Sequence, residues 1–209
     1  METKRDDNLI EHIKRLDLKS LEATFRIMQQ YGLRVHGLDG AAYLDDILGS
    51  LFEAVFIADK KLAPRLLTGL GPIASFYSRI ELAAALGLIS KTEHHDLNLI
   101  RKIRNDLAHG HGQHTFESDS IKQRCDKLKL PDDSTVAPLA SMLPLGPMKS
   151  KSFERYNFSV GVLMFLLMHR RDHAQRPTQN ETVSANTVND IAELITAIRQ
   201  RQKEQRDKA

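Results

Sequence analysis

Six consecutive residues, Arg104-Asn105-Asp106-Leu107-Ala108-His109, bring together the side chains that metal-free cleavage of a phosphodiester would need. Such cleavage requires a group that moves a proton to or from the attacking hydroxyl or the leaving oxygen. It also requires a cation that stabilises the charge developing on the phosphate. His109 suits the first role and Arg104 the second, with Asn105 as their polar neighbour. The apolar spacing upstream predicts that these residues end a helix, where the backbone dipole and Asp106 both favour a protonated imidazole. Geometry argues for a shared site: five helical residues turn through about 500°, some 140° beyond a full turn. Arg104 and His109 therefore do not lie above one another, and two facing protomers would have to complete the centre. The structural alternative is simpler. His109 then caps open carbonyls at the helix end, and Arg104 pairs with Glu81 or Asp106.

Arg79, Arg101 and Asp106 form a second set of candidates, for binding rather than catalysis. Arg79 could line a phosphate or peptide pocket, or it could be a buried cation paired with Glu53 or Asp45, since buried charge requires a partner. His109, His111 and His114 are separated by flexible glycine spacing with no cysteine nearby, so no metal is assigned; no cofactor is expected either. Cys125 has no neighbouring base and reads as a small packing residue.

Apolar periodicity defines the elements that must position these groups. Leu21, Phe25 and Met28 mark an amphipathic helix, and residues 31–37 are expected to connect it to a helix over residues 41–59 carrying Leu44, Ile47, Leu48, Leu51, Val55 and Phe56. Pro64 fits the first turn of a short helix, and Gly69-Leu70-Gly71-Pro72 predicts a turn. The next helix, beginning after Pro72, stops at Gly87, a residue suited to the left-handed position after a helix end. Ser90 and Glu93 have capping-box spacing, and Leu97, Ile100 and Ile103 carry the stripe toward His109. Residues 131–151, rich in proline and serine, are expected to be irregular. The run from Phe158 to Met168 is apolar nearly all round but falls short of the roughly 20 residues of a bilayer span, so it is expected to be a central core helix. Residues 175–184 read as a polar linker, and Ile191, Leu194, Ile195 and Ile198 as a narrow stripe on a final helix.

No alternating strand pattern, internal repeat or glycine-rich phosphate loop is present. The expected fold is all-α: one multi-helix bundle over residues 20–173, preceded by an N-terminal segment (1–19) and followed by a linker and basic amphipathic helical tail (174–209). With 41% hydrophobic and 27% charged residues in a chain of 209, disorder is not expected. A single cysteine and a charged start without a leader-like apolar run lead to an expected cytoplasmic location and no membrane association. The net charge of +3 is too small to imply nucleic acid unless it is clustered. Clustering is most visible in the tail, at Arg199, Arg201, Lys203, Arg206 and Lys208, where a phosphate backbone could bind.

The order Leu66-Leu67-Thr68-Gly69-Leu70-Gly71-Pro72, Arg79-Ile80, Leu86-Gly87-Leu88-Ile89, Asp96-Leu97 and Arg101-Lys102-Ile103-Arg104-Asn105-Asp106-Leu107-Ala108-His109 resembles the core of the mannitol operon repressor (MltR-like) family. The likeness spans about residues 40–130. It implies an all-helical, repressor-type transcription regulator without a helix-turn-helix, acting through a regulatory protein partner, with DNA association indirect and self-association as a homodimer expected. The basic tail and the proline-containing loop depart from the family, so the target need not be the mannitol operon. The pattern from Arg104 through Asn105 to His109 is also similar to that of HEPN-type helical ribonucleases. That likeness implies the alternative function, a metal-independent ribonuclease with RNA as its partner.

Overall fold

The structure, a computed structural model, describes residues 32–56, 61–109, 114–137, 139 and 150–174. Among the described residues six α-helices follow in order: α1 (Leu33–Val55), α2 (Leu62–Leu67), α3 (Phe76–Ala85), α4 (Lys91–His109), α5 (Asp119–Asp126) and, after a 3₁₀ turn at Leu130–Asp132, α6 (Lys151–Asp172). No strand occurs among the described residues. The fold is the all-α bundle that the helical periodicity predicts. The amphipathic stretch around Leu21, His111 and the stretch around Ile191 expected to form the final helix lie outside the described residues.

Helix α6 occupies the centre. From Ser152 to Leu167 only Glu154, Arg155, Phe158 and Leu166 escape full burial, as expected for a helix that is apolar all round. No described helix is long and apolar enough to cross a membrane. Helix α1 runs along α6 with its Leu44–Ile47–Leu48–Leu51 stripe inward; α4 packs on both, and α3 closes the side formed by α1 and α4.

Helix α1 begins at Leu33, so residues 33–37 are helical and not the connection expected before a helix at residue 41. Tertiary packing overrides the weak helix propensity of Gly37. A β-carbon on Gly37 would sit 2.7 Å from Leu107 and 2.9 Å from the Phe116 ring, so only glycine lets α1 approach α4 this closely. The Gly37 carbonyl accepts the buried Tyr156 hydroxyl at 2.6 Å, and His36 Nε2 meets Asn157 Oδ1 at 2.8 Å. His36, Phe153, Phe116 and Tyr156 form edge-to-face ring contacts 4.9–5.1 Å apart between centroids.

The helix ends follow their local sequence. Gly87, at φ +68°, ends α3 while the Gly87 and Leu88 amides donate to the carbonyls of Ala84 and Ala83. Ser90 and Glu93 form the expected reciprocal cap of α4. Glu93 is buried and pairs at 2.8 Å with Arg170, near the end of α6.

Asp96 joins three elements. Its fully buried carboxylate accepts the Lys129 amide at 2.9 and 3.1 Å and the Leu130 amide at 2.9 Å, with the Ser159 hydroxyl at 3.5 Å. Arg155 reinforces the same junction: it donates to the carbonyls of Cys125 and Leu128 and makes a two-point contact with Asp132. Cys125 lies in this packing, where burial pushes its thiol up to about 12, consistent with an unreactive side chain.

Burial also raises the Asp96 carboxyl above its ordinary 3.8, the hydrogen bonds only partly opposing it. A raised folded-state value means that the folded state holds this proton longer than the unfolded chain does. The contribution of Asp96 to stability therefore declines as pH climbs from 3.8 through the raised value. Asp96→Ala, which strands the Lys129 and Leu130 amides, is expected to cost about 3 kcal/mol in urea unfolding. For Asp96→Asn, the stability gap to wild type is expected to narrow as pH rises through that window; a gap that widens would contradict it.

Candidate functional site

Helix α4 is amphipathic, with Leu97, Ile100, Ile103 and Leu107 facing the core. Arg101, Arg104 and Asn105, spaced at i, i+3 and i+4, consequently share one outer face. That face forms one wall of a groove of about 360 Å³. Ala41, Ala42, Asp45 and Asp46 of α1 supply the opposite wall, and Ala74, Ser75, Phe76 and Tyr77 close the end. Three alanines leave the space open. Ser75 caps α3 by accepting the Ser78 amide at 3.1 Å, which fixes the start of α3 at the groove.

The candidates divide by what their charges meet. Arg79 is turned inward: it contacts Asp45 at 2.6 Å and donates to the carbonyls of Ile73, Asp45 and Leu67 at 2.9–3.1 Å. Of the two acids considered for it, Asp45 is its partner. Burial nevertheless leaves the Asp45 carboxyl above its ordinary value, Arg79 opposing that shift and Asp46 adding to it. Asp106 pairs with Arg124 at 3.1 Å and ties α4 to α5. Glu81 accepts from Asn98 at 3.1 Å and meets His94 at 2.9 Å, which holds its carboxyl below its usual range. Among the described residues neither acid pairs with Arg104.

Arg104 is exposed and donates to its neighbour Asn105 at 3.2 Å. The Arg101 guanidinium lies 5.0 Å from the centroid of the half-exposed Tyr77 ring, and its Nε, shut off from solvent, meets no hydrogen-bond acceptor among the described residues. His109, one turn beyond Asn105, is exposed at the end of α4 and does not line the groove. The Leu107 carbonyl in that last turn accepts Arg34 Nε at 3.0 Å. The structure thus brings Arg101, Arg104 and Asn105 together and leaves His109 beside them. Asp46 and Tyr77, which no sequence spacing singles out, join them only through packing. Among the described residues, no group of three metal-binding side chains exists.

Two arginines on neighbouring surfaces should therefore behave differently on substitution. Arg79→Ala, which leaves Asp45 and three carbonyls without their donor, is expected to lower unfolding free energy by about 3 kcal/mol. Arg104→Ala should change it by less than about 0.5 kcal/mol, as expected at an exposed position. Chemical denaturation of both variants checks the contrast.

The family model described as mannitol repressor matches residues 35–157. The X-ray structure of the MtlR-HPr complex from Escherichia coli is similar at 22% identity and a TM-score of 0.46, over 70% of this chain and 96% of that chain. Among curated proteins there is no match. The family match runs from the first turn of α1 to the second turn of α6, more than half of the chain and both walls of the groove, so the chain belongs to the mannitol repressor family.

Proposed function

We propose that this chain is a repressor-type transcription regulator that acts by holding another protein, its association with DNA being indirect. Family membership across residues 35–157 carries the reading. The surface is compatible with it. Leu70, Leu86 and Tyr77 are the three most exposed large apolar side chains among the described residues, at 106%, 55% and 53%. All lie on α3 or its flanking turns, where burial of apolar and aromatic side chains against a partner would stabilise a complex. Its expected place is the cytoplasm.

HPr, the protein named with the Escherichia coli relative, is the first probe. Titration of HPr from the same organism as this chain should give saturable binding. The pair Leu70→Asp and Leu86→Asp is expected to weaken it by about tenfold or more with the fold intact. If binding is saturable but indifferent to both substitutions, the partner uses another face; if HPr does not bind, the partner is a different protein.

Metal-independent ribonuclease activity is the second reading, favoured by one observation. Arg104 and Asn105 are held together in an open groove, and neither acid considered for Arg104 occupies it. His109 would supply the proton transfer. Labelled RNA incubated with chelator and either wild-type or His109→Ala protein decides this reading. Cleavage present in the first and lost in the second establishes it, and intact RNA in both removes it.

A further inference from the structure

We propose that the groove between α1, the start of α3 and α4 binds a small organic anion that also carries hydroxyl or amino donors, of the chemical class of sugar phosphates and sugar acids. The proposal concerns an effector site and stands whether or not the protein-partner reading holds. Its volume, about 360 Å³, lies in the range of small-molecule clefts.

Three features point to an anion. Arg101 lines the groove and makes no ion pair among the described residues. Its guanidinium is already oriented by the Tyr77 ring, 5.0 Å away, and Arg104 is held at 3.2 Å by the Asn105 side chain. An anion therefore meets two ordered cations, with less side-chain entropy to lose than free arginines would have. The acid on the facing wall nearest the core, Asp45, is partly neutralised by Arg79 at 2.6 Å. Finally, α3 starts at the groove, and the amides of Phe76 and Tyr77, in its first turn, have no carbonyl within the helix to bond.

Two further features restrict which anion. Asp46 also lines the groove and is exposed. A carboxylate there repels a bare anion and accepts hydrogen bonds from hydroxyl or amino groups. The Ser75 and Asn105 side chains add further polar positions, and Ala41, Ala42 and Ala74 give the skeleton room. The ligand that satisfies the whole set has an acid group at the arginine wall and donors toward Asp46. Phosphate and carboxylate share that chemistry, and the choice of titrants separates them.

Calorimetric titration of the full chain with glucose 6-phosphate, gluconate, glucose and inorganic phosphate tests the proposal. Glucose 6-phosphate, gluconate or both should bind, neutral glucose should not, and inorganic phosphate should bind about tenfold more weakly than the better polyhydroxy anion. Arg104→Gln and Arg101→Lys are each expected to weaken binding by about tenfold, since both remove charge-assisted or planar donors. Asp46→Asn should weaken the polyhydroxy anions while leaving inorganic phosphate as tight or tighter. Arg104 is exposed, so its variant is expected to fold normally, and circular dichroism verifies that it does. No heat from either polyhydroxy anion at about 10 mM, which corresponds to less than roughly 3 kcal/mol of affinity, overturns the proposal. So does binding unchanged in Arg104→Gln, or inorganic phosphate binding as tightly as glucose 6-phosphate.

Discussion

A helix that is buried on nearly every side imposes a strict condition on its surroundings: each polar atom carried inward must find its partner within the protein. Helix α6 sets that condition here. Its Tyr156 hydroxyl bonds the Gly37 carbonyl, Asn157 meets His36, and Ser159 approaches Asp96. Unpaired, groups of this kind would each cost about 1–3 kcal/mol. Paired, they specify which turn of α1 and which turn of α4 lie against which turn of α6. Apolar contact alone would tolerate sliding between neighbouring registers; these hydrogen bonds do not.

The same condition explains how a polar surface groove comes to be rigid. Asp96 and Arg155 fix the junction among α4, the 3₁₀ turn and α6, while Glu93 and Arg170 hold the start of α4 to the end of α6. Arg79 performs the corresponding task between α1, α3 and the turn preceding α3. With both walls anchored from behind, Arg101, Arg104 and Asn105 can project without being needed for folding. Charges committed to scaffold contacts and charges left for a ligand are thus separated by less than one helical turn, at Asp45 and Asp46 on one wall and at Asp106 and Arg104 on the other.

Family membership and groove chemistry address different aspects of a regulator. The proposed partner site would use exposed apolar side chains such as Leu70 and Leu86, whereas the groove between α1 and α4 presents charge and hydrogen-bonding groups. Tyr77 stands at the boundary, exposed on α3 and stacked on Arg101. A ligand held by Arg101 would therefore be felt at Tyr77, a short physical route by which occupancy of the groove could alter binding of a partner on α3.

Local sequence determined much of the fold. Periodicity marks the buried faces of α1 and α4, the Ser90–Glu93 spacing and Gly87 mark helix ends, and the apolar run from Phe158 marks the central helix, because each depends on residues within a turn or two of one another. The Arg104–Asn105 pair was legible for the same reason. Asp96 was less so: beyond its place in the family-like motif, its signal is that an acid stands in phase with Glu93 and Ile100 on an inward face. The start of α1 at Leu33, the pairing of Arg79 with Asp45 and of Asp106 with Arg124, and the entry of Asp46 and Tyr77 into the groove were decided by tertiary structure. Those outcomes depend on groups 18 to 121 residues apart, and no local spacing encodes which distant helix will arrive opposite a given side chain.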